Sequence, residues 1–294
     1  MLGRSAGYAP AVTQDQHERD LIRRADEYLT EHYGVVVDDV VLQTWGNGQP
    51  QLVHQLLTSA VATSGGTADP TELLPVASSI AFPDTNAAPW LSPSESDGDF
   101  APRSSPVAQA ARLLAGELLR PLDDGGQRWR HTQAVAARAA EAAHLFDEID
   151  SDLLVAAAWL HDIGYAPKLH RHRFHPVDGA EHVEEQLSAS RLAGLIAHHS
   201  GARFVAEVRG VLPLMAPYAE PQFWTGPLAD ALTWADQTIG PNGERMSVEQ
   251  RLHEMLLRHG PESPNARSND RRAPAIIAAV RATEARLEVS RSRD

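Results

Sequence analysis

The pattern of apolar and polar positions is strongest in the C-terminal two-thirds of the chain. Between residues 106 and 290, apolar residues recur at helical spacing in segments separated by short turns rich in Gly, Pro or Asp. No alternation typical of strands competes with this pattern, so the fold class is predicted to be all-α, a helical bundle. The predicted helices span residues 106–119, 126–146, 151–163, 176–187, 189–200, 227–239, 247–258 and 272–287.

The first 105 residues divide into two stretches. Residues 1–62 are predicted to form a small, mostly helical segment, with a helix over 14–33, a candidate strand over 35–42 and helical spacing again near 52–57. Residues 63–105 are rich in Ser, Pro, Gly and Asp and show no sustained period. We expect this stretch to be a linker, largely disordered.

Composition narrows the classes of function. The chain has 294 residues and a net charge of −13, which disfavours broad contact with a nucleic-acid duplex because such contact depends on clustered Lys and Arg. It contains no cysteine, so any metal must take nitrogen and oxygen ligands. No apolar stretch approaches the roughly 20 residues of a membrane span, and the opening MLGRSAGYAP lacks the apolar core of a secretory signal. We expect a cytoplasmic protein with no membrane partner.

The segment SDLLVAAAWLHDIGY predicts the centre of the bundle. It is apolar nearly all the way round a helix, which is typical of a buried helix. It ends in His161 and Asp162, with Gly164 as the expected helix stop. Burying an imidazole beside a carboxylate is costly unless the two groups are paired or coordinate a metal.

Three other predicted helices carry a ligand-type residue on an otherwise apolar face. His131 lies on such a face in helix 126–146, His199 in 189–200 and Asp236 in 227–239. Taken singly, each could be a hydrogen-bonded core histidine or a carboxylate that caps a neighbouring helix. Several inward-facing ligand types around one His-Asp pair instead favour a metal site.

These residues resemble the HD-domain metal-dependent phosphohydrolases, whose pattern is a His, a His-Asp pair and a distant Asp. The matching segments are RWRHTQAV with His131, WLHDIGY with His161 and Asp162, and WADQT with Asp236. The resemblance covers residues 106–290 and implies that these four residues bind a metal. Nothing N-terminal of this range takes part in it.

Two further segments are similar to the branch of this family that binds two metals. FHPVDGAEHV resembles its HPxxGA element and IAHHSG resembles the histidine motif that follows. The resemblance implies that His175 and His199 complete a second metal position, with His198 as the alternate for His199. His175 could instead cap a helix, because Pro176 suits the first helical turn.

A basic loop, KLHRHRFHP, follows the His-Asp pair and is a candidate phosphate-binding segment. Its candidate residues are Lys168, His170, Arg171 and Arg173, although a solvated loop would have the same composition. The two-metal signalling branch usually has Lys where this chain has Tyr165, and its GYP element is missing after His199. Both departures argue against a cyclic-dinucleotide phosphodiesterase.

The resemblance implies a metal-dependent phosphohydrolase that acts on a small phosphate ester or nucleotide through metal-activated water. Asp162 and His161 would be its central catalytic residues, with Asp162 bridging two ions. Histidine and carboxylate ligands suit Fe, Mn, Zn, Co or Ni, at one or two ions per chain. Two alternatives stay open: a non-catalytic nucleotide-binding sensor or scaffold, and an HD-type di-iron oxygenase.

Overall fold

A computed structural model describes residues 105–293. The predictions for residues 1–62 and for the linker, apart from Ser105, lie outside the described residues. Within the described range the chain forms helices and a single isolated antiparallel bridge between Ile239 and Arg245, with no strand. The all-α prediction is confirmed. The α-helices are α1 Pro106–Leu119, α2 Gln127–Ala142, α3 Glu148–Leu160, α4 His175–Leu187, α5 Ser190–His198, α6 Ala202–Arg209, α7 Pro227–Gln237, α8 Val248–His259, α9 Pro264–Arg267 and α10 Asn269–Arg291.

Helix α3 lies at the centre of the bundle, as its uniformly apolar sequence predicts. It packs against α1, α2, α5 and α7, and Leu154 and Leu160 on it are fully buried. Helix α7 packs in turn against α2, α10 and the turn His199–Gly201. These contacts bring the inward faces of α2 and α7 to the end of α3. None of the described helices combines the length and apolar character that a membrane span requires.

The end of α3 differs from the prediction. The helix begins at Glu148, where the Asp147 side chain accepts a hydrogen bond of 2.9 Å from the Asp150 amide, and it ends at Leu160. His161 caps the helix and Asp162 has left it, with a ψ of 4°. The predicted helix 151–163 therefore ends too late, and Gly164 is not its stop.

Gly164 instead permits a close approach between two segments. It lies in the short turn Ile163–Tyr165, which packs against the start of α4. A Cβ atom at Gly164 would lie 2.0 Å from the carbonyl oxygen of His175 and 2.7 Å from the amide nitrogen of Gly179. Only a glycine lets the chain after Asp162 pack so closely on the turn of helix that carries His175.

Two helices were not predicted, and both are short. Helix α6, Ala202–Arg209, follows a sharp reversal in which Ser200 and Gly201 have φ values of 51° and 71°. Helix α9 spans only Pro264–Arg267. Segments of this length give too few apolar repeats for a periodicity to stand out.

Replacing Gly164 should test this close contact. Gly164→Ala is expected to lower the free energy of unfolding by about 1–3 kcal/mol, because the added methyl group overlaps backbone atoms of α4 that cannot rotate away. Chemical denaturation of the purified proteins measures the difference.

The matched control is Gly116→Ala within α1. There the added Cβ atom would lie 3.3 Å from Nε of Arg120, the far end of a flexible side chain. Alanine is favoured over glycine inside a helix, so this variant should keep its stability or gain slightly. Equal losses in the two variants would contradict the importance of the Gly164 contact.

Candidate metal centre

Six ligand-type side chains meet at the end of α3 in two adjacent groups. The first group is His131, His161 and Asp236, and the second is Asp162, His175 and His199. Within each group, one ligand atom per residue lies within 4.8 Å of the others. All six side chains are buried except that of His175, which is partly exposed.

The first group presents two imidazole Nε2 atoms to Asp236. Nδ1 of His131 lies 2.9 Å from the carbonyl oxygen of Gly240, and Nδ1 of His161 lies 2.7 Å from that of Ala158. A carbonyl oxygen only accepts hydrogen bonds, so both Nδ1 atoms are donors and both Nε2 atoms face the group. Nε2 of His131 lies 3.0 Å from Oδ1 of Asp236. The buried Nε2 of His161 forms no hydrogen bond within the described residues, although Oδ2 of Asp162 lies 3.2 Å away.

The second group has the same organisation. Nδ1 of His199 donates to the carbonyl oxygen of Ile196 over 2.6 Å, which turns its Nε2 towards Nε2 of His175 at 3.3 Å. The ring of His175 is held by stacking on Tyr165, with centroids 4.0 Å apart. Two imidazole nitrogens that approach in this way converge on a common position, where a metal ion would bind both.

Asp162 lies between the two groups and turns one oxygen towards each. Its Oδ2 is 3.2 Å from Nε2 of His161 and 3.9 Å from Nε2 of His131. Its Oδ1 is 3.4 Å from Nε2 of His175 and 3.9 Å from Nε2 of His199. Ligand bonds of about 2.0–2.2 Å place the ligand atoms of one ion about 3–4 Å apart, so the spacing within each group would suit a metal ion.

Comparison with known proteins agrees with this geometry. Residues 128–252 match the family described as HD domain. This part of the chain is an HD domain. The matched range contains all six ligand-type residues but is narrower than the predicted domain 106–290. No curated protein and no solved structure matches the chain significantly.

The charges around the six ligand-type residues favour a bound cation. Burial raises the pKa values of Asp162 and Asp236, but nearby groups outweigh it and hold both well below the usual range. The opposing groups are chiefly Arg128 and His161 for Asp162, and His131 and His161 for Asp236. Two ionised carboxylates therefore lie within a buried cluster of imidazoles.

The imidazoles respond to this environment in two ways. Burial lowers the pKa of His199 and holds that of His175 well below its usual range, so both rings are neutral at pH 7. Burial also opposes protonation of His161, but the negative charge of Asp162 outweighs it and the pKa rises to about 9. Neutral imidazole is the form that binds metals, so His175 and His199 are ready to act as ligands.

Asp236 is held by two neighbours that leave one of its oxygens facing the histidines. Its Oδ2 accepts a hydrogen bond from the Ser200 hydroxyl and another, of 2.9 Å, from Nε2 of Gln237. Its Oδ1 faces His131. Neighbours that orient a ligating carboxylate in this way are typical of metal sites.

Arg128 belongs to the site and was not predicted. Its Nη1 donates to Oδ2 of Asp162 over 2.5 Å, and its guanidinium group lies 4.0 Å above the centroid of the Tyr165 ring. The sequence did contain a signal, because Arg128 precedes His131 by three residues and shares its helical face. An arginine on an inward-facing stripe marks an anionic neighbour.

The structure separates His198 from His199. Nε2 of His198 donates to the carbonyl oxygen of Tyr218 over 2.8 Å, and its ring packs against Trp224. Helix α5 ends at His198, so His199 begins the following turn and faces the ligand cluster. His199, and not the alternate His198, belongs to the second group.

Only part of the predicted phosphate-binding loop lines the cavity at the metal centre. A cavity of about 710 Å³ opens above the metal centre, and His170 and Arg173 line it. Lys168 and Arg171 do not line it. Arg171 pairs with Glu185 on the outer side of α4, so its charge is already engaged.

Metal analysis should distinguish one site from two. We expect about two ions per chain in the parent and about one in His175→Ala, because the second ion depends on the His175 and His199 pair. The measurement is elemental analysis of full-length protein loaded anaerobically with iron(II) or with manganese(II).

His198→Gln is the matched control for this experiment. The glutamine amide can still donate to the Tyr218 carbonyl, so this variant should keep both ions. One ion per chain in the parent, unchanged by His175→Ala, would reduce the centre to a single metal.

Proposed function

We propose that this protein is a metal-dependent phosphohydrolase that acts on a small phosphate ester or nucleotide. The observation that carries the proposal is the placement of Asp162, which turns one carboxylate oxygen towards each histidine group at the floor of an arginine-lined cavity. HD domains are generally metal-dependent phosphohydrolases. The finer assignment to the two-metal branch rests on the positions of His175 and His199.

The donor set fits divalent transition metals. It consists of imidazole nitrogens and carboxylate oxygens, two ligand types that Fe, Mn, Zn, Co and Ni accept. His161 adds a direct sign of fit, because its buried Nε2 has no hydrogen-bond partner within the described residues. A divalent ion at such a site lowers the pKa of coordinated water and neutralises charge on phosphoryl oxygens.

The remaining chemistry belongs to the side chains of the cavity. Arg128 extends from α2 to the carboxylate of Asp162, so its guanidinium lies where it could donate to a phosphoryl oxygen held beside that carboxylate. Arg173 and His170 border the same cavity. Phe174, Val205 and Met255 add apolar walls that limit the access of bulk water.

The volume of the cavity supports a small-molecule substrate. A space of about 710 Å³ falls within the range of about 300–1,000 Å³ that is typical of ligand pockets. A nucleotide or a sugar phosphate would fill it. We therefore infer that the substrate is a small phosphorylated molecule rather than a nucleic-acid duplex.

Replacing Asp162 should test this function most directly. Asp162→Asn keeps the size of the side chain but removes the charge that offsets divalent cations. We expect phosphate release to fall more than about tenfold, which is a loss of about 1.4 kcal/mol of transition-state stabilisation. The rise in melting temperature that metal produces in the parent should also disappear.

The screen uses a panel of phosphate esters and nucleotides with full-length protein loaded with Mn, Co, Ni, Fe or Zn. Asp150→Asn is the control, because Asp150 lies on α3 but pairs with Arg191 at the surface. Activity above about a tenth of the parental rate in Asp162→Asn would contradict the proposed role. A parent that binds nucleotides without turnover would favour the sensor, and substrate loss coupled to oxygen consumption would favour the oxygenase.

A further inference from the structure

The cavity above the metal centre is lined by arginines, although the chain as a whole is acidic. The net charge is −13, yet the only carboxylates that line this cavity among residues 105–293 are Asp162 and Asp236 of the metal centre. The lining arginines are Arg128, Arg173, Arg209, Arg251, Arg258 and Arg272. These arginines are more than a single phosphate group needs.

Arg272 is the most unusual of these arginines. It lies in the first turns of α10, its residue is only 7% exposed, and its Nε donates to the carbonyl oxygen of Ser200 over 2.9 Å. Its Nη1 is buried without a hydrogen-bond partner, and no carboxylate among residues 105–293 forms an ion pair with it. Burial lowers its pKa to about 10, so it is still charged at pH 7.

Arg251 on α8 lies close enough to Arg272 for the two charges to repel each other. Its residue is 6% exposed, and its Nε is also buried without a hydrogen-bond partner in the described part of the chain. Its Nη1 pairs with Glu254, but Arg258 uses the same carboxylate. Arg251 and Arg258 therefore share one acidic side chain on this wall of the cavity, and Arg272 beside them pairs with no carboxylate among the described residues.

This wall is adjacent to the metal centre, and the charge of Asp236 acts on both Arg251 and Arg272, although neither arginine forms an ion pair with that carboxylate among the described residues. Arg272 contacts the backbone of Ser200, whose hydroxyl donates to Asp236. Arg128, by contrast, reaches Asp162. A phosphate held at Asp162 would leave Arg251 and Arg272 facing another part of the bound molecule.

Leaving two buried guanidinium groups with unmet donors is costly unless an anion meets them when the protein is in use. Guanidinium groups match phosphate oxygens particularly well, because their N–H groups donate in pairs. Simple tethering of the turn His199–Gly201 would account for Nε of Arg272. It would not account for the unpaired Nη1 or for the second buried arginine beside it.

We propose that Arg251 and Arg272 form an anion subsite for a second phosphate group, so that the substrate carries at least one phosphate besides the one that is hydrolysed. This inference rests on the proposed function, because it assigns the class of substrate to that same cavity. Its test does not depend on turnover, because the subsite can be measured by ligand binding alone.

The test compares non-hydrolysable ligands that differ by one anionic group. Calorimetry on full-length, metal-loaded protein would measure the affinities of ethane-, propane- and butane-diphosphonate and of the corresponding alkyl phosphonates. We expect the best diphosphonate to bind at least about tenfold more tightly than its monophosphonate. In Arg272→Gln and in Arg251→Gln this advantage should fall to about twofold or less, while the monophosphonate affinity stays within about twofold of the parental value.

Arg271→Gln is the matched control, because Arg271 is the neighbour of Arg272 on α10 but pairs with Glu207 at the surface. It should keep the full preference for the diphosphonate. Arg272→Lys guards against misfolding of the glutamine variant, since it keeps the charge but loses the paired donors and should retain an intermediate preference.

The outcomes separate the two proposals. No preference for any diphosphonate in the parent, or a preference that survives in both glutamine variants, would overturn the subsite. An equal gain with 3-phosphonopropionate would overturn its assignment to phosphate. Loss of the preference in the variants, in a protein that hydrolyses no ester, would support the subsite and reject the proposed function.

Discussion

The buried carboxylate of Asp162 is the feature on which the rest of the described structure depends. It is ionised, almost fully buried and surrounded by the nitrogen atoms of four histidines. A carboxylate in this position is strongly unfavourable unless cations compensate it. The fold supplies that compensation from α2, which carries Arg128, and from the start of α4, which carries His175 and packs close to Gly164.

Arg128 offsets part of the negative charge of Asp162. Its guanidinium donates to the same Asp162 oxygen that faces His131 and His161. An ion bound to that oxygen would compete with the guanidinium for the carboxylate charge, which would leave Arg128 free to turn towards an anionic ligand. In the function proposed above, metal binding and phosphate binding would therefore be coupled through one carboxylate.

The sequence predicts the all-α fold well, because the fold depends on local periodicity, and the structure brings the six predicted ligand residues together at the end of α3. His131 and Asp236 lie on the inward faces of α2 and α7 that their apolar stripes indicate. His199 was assigned on a partly wrong basis, since the predicted helix 189–200 ends at His198 and the following turn directs His199 inward. A periodic pattern does not show at which residue a helix ends. Here the helix ends at His198, so His198 and His199 point in different directions.

What the sequence could not predict depends on contacts between distant segments. The close approach at Gly164 joins a turn to the backbone of a later helix, and a glycine after a helix reads more simply as its stop. Arg251 and Arg272 lie on different helices, and each looks like an ordinary surface arginine in a polar stretch. Their burial appears only when α8 and α10 pack beside the turn that holds Ser200 and the metal centre.

The ligand cluster and the arginine wall thus give the two parts of the cavity opposite charges. The ligand cluster holds two carboxylates that attract cations, whereas Glu254 is the only carboxylate among the described residues that forms an ion pair with the wall of Arg251, Arg258 and Arg272. In the function proposed above, a phosphorylated ligand with metal ions would satisfy both at once, because the ions would offset the carboxylates and the phosphates would offset the arginines. Such a ligand would bind only the folded state and would stabilise it by mass action. The charges that line the cavity therefore favour a ligand that contacts both of its parts.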